Sequence, residues 1–179
     1  MVSSYIFFDK YFLSEKIKKK SKIVSKNVQV TDFNKNNIIR NLKYEISLSK
    51  GKEYIITSET SEIEEIDDYE LVTMRTVKAT LIDNNRSPLV IKSLNATFNN
   101  SNYNTTFSKD VSIEYMNNKI LSNTLNLDFK KKLIEIYDNV IAESQYGIIK
   151  SDKIVIDLIT KKIDISMNSV NKDIELTKY

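Results

Sequence analysis

From residue 28 onward, hydrophobic and polar residues alternate along much of the chain. In residues 42–49, Leu, Tyr, Ile and Leu alternate with Lys, Glu, Ser and Ser, which is the period of a strand with one buried face. A Lys-Gly-Lys turn at 50–52 separates this strand from a second one at 53–59. Residues 71–82 form a long β-branched run that ends in Asp-Asn-Asn. This pattern predicts an antiparallel β-ladder.

The second half of the chain continues the pattern in short apolar runs between Asn- or Gly-containing turns. Ile, Val, Tyr and Phe dominate these runs, as a pleated surface prefers. They cover residues 111–115, 125–129, 133–137, 154–159 and 163–167. No segment after residue 28 keeps a helical period, and the acidic stretch 62–68 predicts a loop or a poorly defined edge. The fold class is therefore predicted to be all-β.

An internal repeat of 29 residues organises this ladder. Val111 and Val140 are separated by this offset, and the same offset relates Ser93, Ser122 and Ser151. Three successive units thus share a hydrophobic strand, a turn, an Ile-x-Ser strand, an apolar strand and a strand that ends in an Ile-x-Ile pattern. Repeats of this kind bury their apolar faces by stacking against each other.

The composition excludes several common kinds of catalytic site. The 179 residues, about one domain in length, include no Cys, no His and only two Gly. Thiol nucleophiles, zinc-thiolate sites and imidazole bases are therefore excluded, and glycine-rich phosphate loops do not occur. We expect no enzyme activity, no catalytic residue, no metal site and no cofactor. Asp128 and Asp157 recur at one repeat position, so they indicate turn or strand-end residues and not an acid–base pair.

The charge pattern gives little indication of nucleic-acid binding. The net charge is +3, and only three of the 27 basic residues are Arg, the residue that specific readers of bases use most. One Lys-rich cluster at residues 16–26 could bind phosphates or anionic headgroups, although a solvated linker explains it as well.

Residues 2–13 are rich in Tyr, Phe, Ile and Leu and lie directly before the basic cluster. They are too few to cross a bilayer alone, since a helical span takes about 20 residues. Aromatic residues beside a Lys-rich segment are typical of the interfacial end of a membrane helix. We therefore expect a short hydrophobic or helical segment here that is the end of an N-terminal membrane anchor.

Two stretches resemble the LptC family, in the OstA-like LptA–LptC superfamily of lipopolysaccharide transport proteins. Residues 41–62, NLKYEISLSKGKEYIITSETSE, resemble the opening strands, with Gly51 and Tyr54 at the Gly and aromatic positions. Residues 108–158 are similar to the repeating strand pattern, with Gly147 at a turn glycine. Ser58 and Ser61 depart from the family's preference for Ala. The resemblance covers residues 28–167.

This resemblance implies a twisted open β-jellyroll of stacked antiparallel strands whose apolar interior holds the acyl chains of lipopolysaccharide. Its partners would be an LptB2FG-type ABC transporter and an LptA-type bridge protein. The expected location is the periplasm, anchored to the inner membrane. The domain limits that follow are a membrane-proximal segment at 1–26, a jellyroll at 27–170 and a tail at 171–179.

Apolar side chains on one face of the repeats are the candidates for the lipid groove, because alternate strand positions share a face. They could equally form a closed, dry core. The candidates are Phe98, Phe107, Val111, Ile113, Leu125, Leu127, Phe129, Ile134, Ile136, Val140, Ile154, Ile156, Ile163 and Ile165.

Unpaired strand edges of an open jellyroll offer sites for strand addition by partners. The last strands, at Ile163 and Ile165, are predicted to meet the bridge protein. The first strands, at Val28, Val30, Leu42 and Tyr44, are predicted to meet the transporter. Two alternatives remain open: a soluble LptA-like bridge protein, and an unrelated β-solenoid that acts as a scaffold or binds carbohydrate.

Overall fold

The computed structural model describes residues 21–23, 38–49, 51–66, 69–83, 87–157, 160, 162–167 and 174–178. Within these ranges the chain forms eleven β-strands, and no helix there could span a bilayer. The strands are β1 Ser21–Ile23, β2 Ile38–Ser49, β3 Lys52–Ile66, β4 Tyr69–Asp83, β5 Leu89–Asn99, β6 Thr105–Tyr115, β7 Asn118–Asp128, β8 Leu133–Ser144, β9 Gly147–Asp157, β10 Ile163–Ser166 and β11 Glu175–Lys178.

All eleven strands belong to one antiparallel sheet. Strands β1 to β10 pair in chain order, and β11 pairs with β9 beside β10. The first and last strands do not pair with each other, so the sheet is open, as predicted. Its architecture is consistent with a jellyroll-like β-sandwich.

The pairing of each strand from β3 to β9 is interrupted near its middle, at a bend that divides the strand into two arms. At the bend between β6 and β7, Lys109 and Asp110 together oppose Asn123, which is a β-bulge. The same two-against-one arrangement places Asp138 and Asn139 of β8 opposite Asp152 of β9. Each doubled pair has positive φ, from 51° to 65°, a region that Asn and Asp enter more readily than most residues.

The bends fold the sheet into two layers that face each other. Layer A holds the arms from 60–75, 95–108, 124–137 and 153–157 together with β10. Layer B holds the arms from 42–58, 77–92, 111–122 and 140–151 together with β1 and β11. In β5 and β7 buried residues alternate along both arms, so the hydrophobic core lies between the layers.

The 29-residue repeat corresponds to one bent hairpin. β5, β7 and β9 begin at Leu89, Asn118 and Gly147 and end at Asn99, Asp128 and Asp157, with the same offset at both ends. Each of these last three side chains caps a turn by accepting a hydrogen bond from the backbone N–H three residues later, at 3.3, 2.8 and 2.9 Å. The interpretation of Asp128 and Asp157 as turn residues is confirmed.

Two features differ from the expectations or fall outside them. The prediction of a loop at 62–68 is wrong for residues 62–66, which continue β3 up to the pair Ile66–Tyr69. The reason is that Ile63 packs against the core and pairs with Val72, while the acidic residues beside it point outward. The segment 2–13, most of the basic cluster, and Val28 and Val30 lie outside the described residues.

The sheet also extends into both flanking segments. β1 lies in the region predicted as a linker, and β11 lies in the region predicted as a tail. Each pairs with a strand of the predicted jellyroll.

Candidate functional site

The fold gathers all the predicted groove residues into one interior. Twelve of them are buried, from Phe98 with no exposure to Ile113 at 6%. The remaining two, Ile163 and Ile165, are partly buried and pack against the same core. Most of the set lies on layer A, whereas Val111, Ile113 and Val140 lie on layer B.

Aromatic side chains join the two layers near the N-terminal half of the sheet. The rings of Tyr44 on layer B and Phe98 on layer A have centroids 4.9 Å apart. Tyr54 on layer B lies 5.1 Å from the ring of Phe129, and its hydroxyl is 3.0 Å from that of Thr105 on layer A. Rings at these distances attract each other beyond simple burial, so this half of the interior is filled by protein.

Burial changes the acidity of both of these tyrosines. It raises the pKa of Tyr44 to about 12, with a smaller contribution from the negative charge of Glu70. Burial also raises the pKa of Tyr54, against the opposing effect of its hydrogen bond to Thr105. In the folded protein both phenols therefore stay neutral at pH values at which an exposed tyrosine is already ionised.

A row of small polar residues lines the inner side of the bend. Ser93, Ser122 and Ser151 occupy equivalent positions in three repeats and are only 4–6% exposed. The hydroxyl of Ser93 donates to the Asn95 carbonyl at 2.8 Å, and that of Ser122 donates to the Thr124 carbonyl at 3.2 Å. The Ile-x-Ser pattern thus places a short side chain where the strand folds back.

The interior reaches the surface at the C-terminal end of the sheet. On layer A, Ile163 and Ile165 of β10 pair with Ile156 and Ile154. On layer B, Leu176 of β11 is 58% exposed and pairs with Ile149. We call Ile149, Ile163, Ile165 and Leu176 the C-terminal mouth. Among the described residues, β10 and β11 share no backbone contact, so no described strand pairing connects β10 on layer A with β11 on layer B.

Strand edges without a described partner remain at both ends of the described sheet. The outer edge of β10 pairs with no described strand. At the other end β1 pairs with Tyr44–Ile46, so this part of the predicted partner edge is occupied by the chain itself. Leu42 lies on the remaining part, and the side chains of Leu42 and Tyr44 are buried in the core.

The interior of the described sheet is almost free of charge. Asp83 is the one buried charged residue among the residues that the structure describes, and it has an interaction partner. Ion pairs lie on the outer faces, as between Lys153 and Glu135 at 2.8 Å and between Lys92 and Glu114 at 3.2 Å. This arrangement suits an apolar occupant.

A small pocket of about 220 Å³ lies at the bend between β6, β7 and β8. It is lined by Asp110, Asn123 and Asn139 together with Val111, Leu121 and Ser122. Within the described ranges no three Asp or Glu residues are grouped as metal ligands. The pocket borders the core at the buried residues Val111 and Ser122, and its other polar lining comes from the bulge residues.

Sequence reasoning left the N-terminal part of layer B out of the interior. Ile46, Tyr54, Ile56 and Ile91 are among its fully buried residues, and they follow the same alternation as the predicted set. The roles of Tyr54 and of the three serines were also missed. The signal for the serines was present, since they recur with the 29-residue offset.

No protein-family model matches the sequence, and no curated protein matches it.

Proposed function

We propose that this chain is a non-catalytic lipid-transfer protein that carries the acyl chains of lipopolysaccharide between its two layers. It receives the lipid from an LptB2FG-type ABC transporter and passes it to an LptA-type bridge protein, from a position in the periplasm beside the inner membrane. The observation that carries this proposal is the continuity of the core with the C-terminal mouth, where Ile163 and Ile165 are partly buried against the core and Leu176 is exposed, with no pairing between the described strands β10 and β11. The resemblance of residues 28–167 to the LptC family is the basis for proposing lipopolysaccharide as the lipid.

The energetics of such a site need no charged chemistry. Each methylene group that leaves water contributes about 0.8 kcal/mol, so a few acyl chains between the layers give ample affinity. The core residues contact one another in the structure, so a lipid enters by separating the layers from the open end. The weakly covered mouth is where this separation begins.

Photo-crosslinking tests the location of the lipid. A photo-reactive residue replaces Ile156, which is 1% exposed and faces the core, and in a second variant it replaces Val155, the next residue on the outer face. After incubation with purified lipopolysaccharide, we expect crosslinked lipid at position 156 only. Equal labelling at the two positions contradicts the proposal. Labelling at 155 alone favours the carbohydrate-binding alternative, with the ligand on the outer face.

The edge of β10 offers the bridge protein a strand to pair with. The N–H of Asp157 donates to the Lys162 carbonyl, and bonded pairs alternate in an antiparallel ladder. The N–H groups of Ile163 and Ile165 therefore point away from β9, toward the free edge. Proline is tolerated at such edge positions but removes the donor.

We expect Ile165→Pro to abolish co-purification of an LptA-type partner while the far-UV circular dichroism stays unchanged. The matched control is Asp164→Pro, whose lost N–H points toward β9, and which should weaken the β9–β10 pairing itself. Retained co-purification with Ile165→Pro shows that β10 is not the partner edge.

A further inference from the structure

The third serine of the bend row differs from the other two. Ser151 is 4% exposed, and its hydroxyl has no hydrogen-bond partner. The equivalent hydroxyls of Ser93 and Ser122 donate to backbone carbonyls two residues later. A buried hydroxyl without a partner costs free energy, so this position has an unused hydrogen-bonding capacity that its repeat neighbours lack.

The location of Ser151 indicates which kind of ligand its hydroxyl group meets. Ser151 shares the inner face of β9 with Ile149 on one side and Ile154 on the other. β11 covers β9 from Gly147 to Lys150, and β10 covers it from Lys153 to Ile156. On the side of β9 away from β8, no described strand pairs with residues 151 and 152, whereas on the other side Ser151 pairs with Val140. Ser151 therefore lies at a gap in the cover of β9, between the two halves of the C-terminal mouth.

From this position we infer that Ser151 donates a hydrogen bond to the carbonyl oxygen of a bound acyl group, while the acyl chain lies against Ile154 and Ile156. This inference rests on the proposed function. It specifies the chemical class of ligand that the site binds, which is lipids with ester- or amide-linked acyl chains. Their headgroups face the gap between β10 and β11. A free fatty acid offers the same oxygen, but it would carry its negative charge into an interior where that charge is costly.

The test compares lipids that differ only in this carbonyl. The full chain is titrated, below the critical micelle concentration, with a 1-acyl lysophospholipid, its 1-alkyl ether analogue and the free fatty acid of the same chain length. We expect the ester to bind roughly fivefold more tightly than the ether, as one net hydrogen bond provides. We expect the fatty acid to bind more weakly than the ester.

Two serine variants separate ligand recognition from structure. Ser151→Ala should bind ester and ether equally, whereas Ser122→Ala, whose hydroxyl is already used, should keep the preference. In the absence of lipid, Ser122→Ala should lower the melting temperature more than Ser151→Ala, because only Ser122 loses a bond.

The outcomes distinguish this inference from the function on which it rests. If the unaltered chain binds ester and ether equally, or if Ser151→Ala keeps the preference, the role of Ser151 is wrong and lipid carriage stands. If fatty acid binds more tightly than the ester, the inferred ligand class is wrong. If none of the three amphiphiles binds, the proposed function fails and the inference fails with it.

Discussion

At the scale of single residues, the core carries hydroxyl groups whose chemistry is set by burial. Tyr44 is 3% exposed and packs its ring against Phe98. Burial, followed by the charge of Glu70, raises the pKa of its phenol to about 12. The unfolded chain releases this proton near pH 10. The contribution of Tyr44 to stability is therefore complete below pH 10 and is lost as the pH rises from 10 to 12.

We predict that Tyr44→Phe reduces this alkaline loss. The change keeps the ring contact but removes the ionisable group. A shift of two pKa units corresponds to about 2–3 kcal/mol, so the fall in unfolding free energy between pH 8 and pH 12 should shrink by up to that amount. Urea denaturation at several pH values measures it. The exposed Tyr146→Phe serves as the control, and an unchanged fall in Tyr44→Phe contradicts the assignment.

At the scale of elements, Gly147 determines how β9 begins. Its φ of +143° lies in a region that L side chains rarely adopt, and a Cβ there would lie 2.1 Å from the Thr177 carbonyl oxygen. The turn before β9 and the docking of β11 thus both need glycine at this position. The sequence indicated the turn, but the approach of β11 is a long-range contact that no local pattern reports.

We predict that Gly147→Ala displaces β11 and destabilises the protein by about 1–3 kcal/mol. Hydrogen exchange should show that the amides of Glu175–Lys178 lose protection, while those of β5 stay protected. The matched control is Gly51→Asn, since Asn tolerates the positive φ of 76° at that turn. Retained protection of β11 in Gly147→Ala argues against the close approach.

The strands themselves were largely predictable, and their bends were not. Alternation located one arm of each strand from β6 to β9, and β10, because one face of each of these segments is buried or partly buried. In β7 the buried positions run Ile120, Ser122, then Leu125 and Leu127, so the parity shifts at residue 123. If the shift is interpreted as the end of a strand, one bent strand is predicted as two short strands. The three-residue spacing between the buried Ser122 and Leu125 indicates the bend within β7. The second layer, however, depends on all the neighbouring strands.

The candidate site could be predicted to a similar extent. Period and repeat placed the inward residues of layer A correctly, since parity alone decides which face a side chain takes. The partners across the core, such as Phe98 with Tyr44, follow from the folding of the sheet and have no signature in the chain. The unpartnered hydroxyl of Ser151 is visible only by comparing three repeats in space.

At the scale of the whole molecule, both layers belong to one sheet, so they should unfold together. Phe98 of β5 is fully buried on layer A, and its ring contacts that of Tyr44 on layer B. Tyr44 belongs to β2, three strands away in the order of the sheet, so this contact is made across the core. Removing its ring takes away packing from both layers at once. Phe-to-Ala changes in cores cost about 3–5 kcal/mol, a large part of the 5–15 kcal/mol typical of a domain.

We predict that Phe98→Ala lowers the unfolding free energy by about that cost, in one transition seen equally by far-UV and tyrosine near-UV circular dichroism. Leu94→Ala on the same strand is the control, because Leu94 is 48% exposed at the bend and should change stability little. If the two probes separate, the layers do not unfold as one unit. If Phe98→Ala costs less than about 1 kcal/mol, the layers are not packed together at this point, and the interior is already open before any lipid arrives.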